Sequence, residues 1–303
     1  MNTTPDKNGR LEVLFYLSFT ILAFSSIEVA ANPIRNLVAP MLITFWRFAI
    51  GSVFLLPIAL LRCKSQLKRL NLGDIIRLFL LGIMNIIFSM GAHAVCMKYA
   101  RASTAAILIA ANPIATNFFS WLILKEAMEK KRIIALMLGF SGIIIIALRP
   151  DTSIDTPLGI AAGIASLTGF GLYTVCSKKM IHKFGSLTVT VVSCLTALIA
   201  YLPILYFSNS GFLPVASAWP RLLFLGIVGS GLGYVTFFKA LESMPAGKAS
   251  YLFFFKPPVT ILLAWLVLAE KPSESAFIGT ALIMCGILIE NMRKNITGQT
   301  SSY

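Results

Sequence analysis

Three ionisable residues, Glu28, Arg47 and Lys256, stand inside long apolar stretches of the chain. A charge at the centre of a bilayer costs about 2.5 to 3.5 kcal/mol on insertion scales, so such groups pair, face a cavity or touch a substrate. Glu28 and Arg47 stand on either side of the connection between their stretches. An antiparallel hairpin would put them at similar depths, about 11 and 17 Å along the axis from the midpoint of that connection at about 1.5 Å per residue, close enough for two long side chains to pair. Glu28 could equally carry a proton, and Arg47 could serve only the fold through a buried ion pair. If Glu28 neutralises Arg47, the net charge of the set resides on Lys256. A cation in low dielectric exerts a strong field and suits a carboxylate or phosphate, unless burial strips its proton.

Backbone chemistry points to the same region. Asn112 precedes Pro113 and Lys256 precedes Pro257. A proline inside a helix frees the carbonyl four residues earlier, here those of Ile109, Phe253 and, through Pro258, Phe254. Irregular backbone in a membrane is tolerated where it lines a cavity, so the two sites are candidate walls of a central pocket, with a harmless kink as the plain alternative. Trp121, Trp265, Tyr173, Tyr234 and Tyr251 could line that pocket or form interfacial belts. The substrate-binding candidates are Lys256, Arg47, Glu28, Asn112, Pro113, Pro257 and Tyr251.

Other chemistries fall away. Five scattered cysteines and two histidines, His93 and His182, make neither a disulfide framework nor a metal set. Gly229, Gly231 and Gly233 do not form a dinucleotide fingerprint, and no cofactor is expected. Gly159 with Gly163, and Gly229 with Gly233, have the spacing of close helix contacts. The apolar stretches hold His93 and no Asp, which leaves a membrane-embedded enzyme without a catalytic cluster. Hydrophobic residues make up 57% and charged residues 13%, with mean hydropathy +0.82, against about 25% charged in soluble domains. The net charge of +14 lies in short connections, so it reads as topology and not as nucleic-acid binding.

The elements that must position these residues are ten apolar segments: 11–31, 40–61, 75–97, 103–124, 132–148, 157–177, 187–207, 220–241, 248–268 and 275–292. Each approaches the span of a bilayer and none alternates like a barrel strand, so an all-α membrane protein of ten transmembrane helices is expected. Lys7 and Arg10 before the run from Leu11 to Ile27 resemble a signal peptide, but the run is long and ends on Glu28, which favours an uncleaved helix. Loop Lys and Arg number sixteen on one side and five on the other. That bias places both termini in the cytoplasm of a cell-membrane protein. Lys239, near the cytoplasmic end of segment 220–241, is expected to snorkel.

The chain repeats itself. A shift of 144 residues aligns Gly82 with Gly226, Ala105 with Ala249, Pro113 with Pro257, Thr116 with Thr260, Trp121 with Trp265, Glu126 with Glu270 and Gly142 with Gly286. A shift of 146 aligns Leu56-Pro57 with Leu202-Pro203. Each half holds five segments, an odd number, so the halves, 11–150 and 155–292, should be inverted five-helix repeats, with a substrate site between them near midplane.

These residues, in their order, resemble the EamA-type ten-helix transporters of the drug/metabolite transporter superfamily. The resemblance rests on Arg47-Phe48, on Met97-Lys98-Tyr99 with Ala105, and on Asn112-Pro113 leading to Trp121 and Lys125-Glu126. In the second half it rests on Lys256-Pro257, Ala264-Trp265, Ala269-Glu270, Gly279 and Gly286. Gly-Glu is common in that family where Lys125-Glu126 and Ala269-Glu270 stand here. The resemblance implies export or exchange of a small polar metabolite, such as an amino acid, by a secondary transporter. A channel or lipid flippase of the same fold would share every feature. The expected partners are a small-molecule substrate and the lipid bilayer; the oligomeric state is open, a monomer being sufficient.

Overall fold

The computed structural model describes residues 7–34, 37–100, 108–147, 156–208, 211–268 and 274–291. No strand occurs among the described residues. The helices in chain order are α1 (Lys7–Ala31), α2 (Pro40–Arg62), α3 (Leu72–Tyr99), α4 (Leu108–Leu124) and α5 (Lys130–Ala147). Then follow α6 (Pro157–Phe184), α7 (Ser186–Phe207), α8 (Ala216–Ser243), α9 (Ala246–Val267) and α10 (Glu274–Asn291). Among the described residues, seven helices are long and apolar enough to cross a membrane, namely α1 to α3 and α6 to α9. The remaining three are shorter as apolar runs: α4, the Phe277–Ile289 stretch of α10, and α5, which opens on Lys130, Lys131 and Arg132.

Local sequence fixes several starts and stops. Pro40 and Pro157 sit in the first turns of α2 and α6, where the missing N–H costs no helical bond. The Asn71 side chain accepts from the Asp74 N–H at 2.8 Å and caps α3. Thr156 accepts from the Gly159 N–H and donates to the Tyr99 carbonyl at 2.7 Å, which ties the start of α6 to the end of α3. At the end of α4, Lys125 takes a left-handed conformation, φ 58° and ψ 28°. Glycine would adopt it freely and a side chain costs about 1 kcal/mol, so the Lys125-Glu126 departure from Gly-Glu carries a physical cost.

The outer surface is apolar: Leu61, Phe207 and Leu213 are 84%, 80% and 74% exposed, which suits lipid and not water. The core is aromatic, with Phe24, Phe48, Phe170, Tyr234, Phe237 and Phe253 interlocked largely edge to face. Helix crossings repeat the sequence symmetry. Gly82 of α3 packs against the Ser193 carbonyl of α7, and Gly226 of α8 against the Arg47 carbonyl of α2. Arg47 and Ser193 are 146 residues apart, Gly82 and Gly226 are 144 apart. Likewise Gly142 meets the Gly279 carbonyl, while Gly286 meets that of Ala135. In both of these pairs the contact that one half makes has its counterpart with the roles exchanged.

Both α3 and α8 carry a π-helical stretch at matching places, Ile83–Ser89 and Leu225–Leu232. Such stretches re-aim the residues that follow them, here His93 and Tyr234.

Candidate functional site

A cavity of about 400 Å³ lies between the halves. Its lining includes the buried Phe24 of α1, Phe170 of α6, Tyr234 of α8 and Phe253 of α9, and the more exposed Asn32, Pro40 and Met97. Arg47 of α2, His93 of α3, Asn112 of α4 and Lys256 of α9 all line it. Three of the sequence candidates, Arg47, Asn112 and Lys256, are therefore brought to one space.

The Arg47 guanidinium rests 4.8 Å above the Phe48 ring, and its Nη2 is 3.4 Å from the Met90 sulfur. Its buried Nε meets no hydrogen-bond partner among the described residues. A thioether, a ring face and the Tyr234 hydroxyl are neutral partners for a cation, so among the described residues the group retains capacity for an anion. The Tyr234 hydroxyl donates to Asn85 Oδ1 at 3.3 Å. Asn112 Oδ1 accepts from the Thr116 hydroxyl at 2.7 Å. Lys256 lies where α1 and α9 are stitched together: its carbonyl accepts from the Ser25 hydroxyl, and the Thr260 hydroxyl donates to the Ser25 carbonyl, both at 3.3 Å. Lys256 is not without interactions of its own, so it is not the isolated cation that the census of charges suggested.

Other candidates stand apart. Pro113 falls in the first turn after the break at Ala111, and its carbonyl accepts from Asn117 at 2.8 Å. Pro257 lies within the helical run, and both prolines are neighbours of lining residues without lining the cavity themselves. Tyr251 faces elsewhere: it packs on Phe254 and donates to the Arg132 carbonyl at 3.1 Å. The Glu28 side chain lies outside the described residues, as do Ala105 and Glu270. Lys239 does not simply snorkel; it pairs with Glu242 at 3.0 Å. The sequence reading missed His93 and Phe170 as cavity residues, whereas Ile109 and Phe253, named with the two proline sites, both line it. No group of His, Cys, Asp and Glu able to hold a metal occurs among the described residues.

The two halves are also tied together around Glu126. Glu126, held just past the left-handed turn of Lys125, accepts from Ser120 of its own half. From the other half it accepts the Lys178 ammonium at 3.1 Å and the backbone N–H groups of Ala246 and Gly247 at 2.8 and 3.2 Å. Burial pushes the Glu126 carboxyl up, but the bonds from Ser120 and Ala246 and the Lys178 charge outweigh it, so its pKa falls below the usual carboxylate value. Asn117 donates to the Gly247 carbonyl at 3.2 Å, and Lys183 pairs with Asp74 at 2.8 Å. Polar contacts between the halves thus clasp them together around Glu126.

Comparison with known proteins places this geometry. The sequence model of the EamA-like transporter family matches residues 12–148 and again residues 157–292. An uncharacterized transporter of Clostridium kluyveri is 28% identical over 287 residues, covering 90% of this chain and 91% of that protein. A probable terminal-alkyne amino-acid exporter of Streptantibioticus cattleyicolor is 26% identical over 210 residues, covering 67% of this chain and 70% of its own length. A solved crystal structure at 20% identity superposes with a TM-score of 0.81 over 92% of this chain and 96% of its own, which speaks for the fold.

Proposed function

Because the chain belongs to the EamA-like transporter family, we propose that it is a secondary carrier that moves a small anionic or zwitterionic metabolite across the cell membrane by alternating access. This reading takes the chain as ten transmembrane helices in two inverted repeats, residues 11–150 and 155–292, with both termini cytoplasmic. The loop charges support that orientation, and the exchanged glycine contacts support the repeat. On this topology the cavity faces outward and Glu126 faces the cytoplasm.

The observation that carries the proposal is the cavity itself, where Arg47 and Lys256 line a wall that ends on Phe24, Phe170 and Phe253. Two cationic side chains suit an acidic group, and the rings suit the apolar remainder of a small molecule. The name of the Streptantibioticus relative, an amino-acid exporter, agrees with a zwitterionic cargo. No catalytic step is part of this reading.

A metabolite exchange screen in proteoliposomes tests it. Saturable counterflow of an amino acid or a small carboxylate is the expected result. Flux that never saturates would make the protein a channel, and lipid movement alone would make it a flippase.

A further inference from the structure

We propose that Tyr234 is a positioning residue: its hydroxyl, held by Asn85, fixes the Arg47 guanidinium in the pose that meets the acidic group of the substrate. The inference rests on the reading of Arg47 as an anion contact, and adds to it the two residues that make the contact selective. An arginine side chain has many rotamers, and it binds well when its neighbours hold one of them.

Chemistry sets the direction of the bonds. A guanidinium donates five hydrogen bonds and accepts none. The Tyr234 hydroxyl, which interacts with Arg47, must therefore turn a lone pair toward it and send its own proton elsewhere. That proton goes to Asn85 Oδ1 at 3.3 Å. Asn85 is wholly buried in the π-helical stretch of α3. A buried amide in a membrane helix is costly unless it is bonded, and Tyr234 supplies the bond. The rings complete the grip: the guanidinium lies 4.8 Å from the centre of the Phe48 ring, and Tyr234 meets that same ring edge to face at 5.5 Å between centroids.

The repeat points the same way independently. Met90 and Tyr234, 144 residues apart, hold equivalent places in the two halves, and both line the cavity. Met90 directly follows the π-helical stretch Ile83–Ser89, and Gly233 alone separates Tyr234 from the stretch Leu225–Leu232. Both side chains turn onto one guanidinium, Met90 through its sulfur at 3.4 Å. Arg47 has no cationic twin, since Ser193 stands 146 residues on. Two equivalent positions thus converge on a single cation, an arrangement that helix packing alone does not call for.

The test reads Arg47 itself, in the full chain reconstituted in vesicles. Phenylglyoxal, which adds to guanidinium groups, is applied, and its addition to the Arg47 peptide is followed by mass spectrometry with and without acetate. Acetamide is the neutral control. Tyr234→Phe keeps the ring, removes the hydroxyl and should speed the modification about tenfold, the worth of one charge-assisted hydrogen bond. Asn85→Leu leaves the hydroxyl in place but unheld, and should speed it about threefold. The double variant should match Tyr234→Phe alone, because both residues act through one chain of bonds. Acetate should slow the modification in the unmodified protein and act about tenfold more weakly in Tyr234→Phe, with acetamide inert in both. If Tyr234→Phe fails to fold, Asn85→Leu decides by the same readout. Faster modification in the variants with no acetate protection in any protein would uphold the positioning and remove the anionic cargo. Lowered melting temperatures with unchanged modification of Arg47, or additive effects of the two substitutions, would reduce Tyr234 and Asn85 to a bond between α3 and α8 and overturn the proposal.

Discussion

The Lys178 ammonium lies 3.1 Å from the Glu126 carboxylate, and these two residues belong to different halves of the chain. The same carboxylate also accepts two backbone N–H groups at the start of α9. One side chain therefore ties α4, α6 and α9 together.

Glu126→Gln should lower stability by about 2 kcal/mol, below the range for breaking a fully buried pair because solvent reaches the rim of this one. The pH dependence follows from the sign of the shift. The folded carboxyl is held below its usual value, so its contribution is complete above about pH 4.3, the ordinary value, and is lost as pH falls through the lowered one. Thermal melts in detergent between pH 6 and 3 should show wild type losing more stability than Glu126→Gln. Parallel loss in both proteins would remove Glu126 from the acid response.

Gly82→Ala and Gly226→Ala should each cost about 1 to 3 kcal/mol, since an added methyl meets the Ser193 carbonyl in one case and the Arg47 carbonyl and Ile50 in the other. Gly91→Ala is the control: nothing lies within 4 Å of its added carbon, and in a helix alanine is favoured by up to about 1 kcal/mol. Melting temperatures that fail to separate the two crossing glycines from Gly91 would mean that the crossings are looser than the contacts imply.

Lys256→Gln should raise the concentration for half-maximal transport about tenfold or more, the loss of one charge-assisted contact, with membrane levels intact. Unchanged transport, or a preference for lipophilic cations, would end the case for an anionic group at this site.

Orientation is checked separately. A periplasmic-type reporter fused after residue 294 should be silent and a cytoplasmic one active, with the loop from Lys125 to Arg132 protected from reagents added outside. The reverse pattern would turn the cavity toward the cytoplasm.

Much of this architecture is legible in the sequence because bilayers impose it: apolar length gives helices, and a fixed offset of glycine and proline gives the repeat. Charges were equally legible, since a cation among apolar residues needs a reason, and Arg47 and Lys256 do meet at one cavity. The aromatic wall was not. Phe170 stands among other apolar residues, and in lipid a ring facing a cavity looks the same in sequence as a ring facing a neighbour or a lipid tail. Tyr251 illustrates the converse: beside Phe254 it seals α9 against α5 rather than lining the cavity. His93 and Tyr234 depend on π-helical stretches, for which the sequence carries no plain signal. Glu126 was visible as half of a repeated motif, but its partner Lys178 is 52 residues away and only the fold joins them.

The last prediction turns on a difference between the halves. Symmetry exchanges Arg47 with Ser193, a cation with a neutral hydroxyl. In the alternating-access reading, a substrate held between Lys256 and α2, the outer wall, meets Arg47, whereas one held between Lys256 and α7, the inner wall, meets Ser193. The two faces of the carrier should therefore differ in affinity for an anionic group, with the Asn32 face tighter by about tenfold, the worth of one charge-assisted hydrogen bond. Half-saturation measured separately from each face of oriented vesicles reads this directly. Arg47→Ser makes the outer wall match the inner one, so the value at the Asn32 face should rise to that of the Glu126 face, while the latter barely moves. Equal affinities in the unmodified protein, or a rise of equal size at both faces in the variant, would show that Arg47 acts on the fold or on both states alike and not as the outer anion contact.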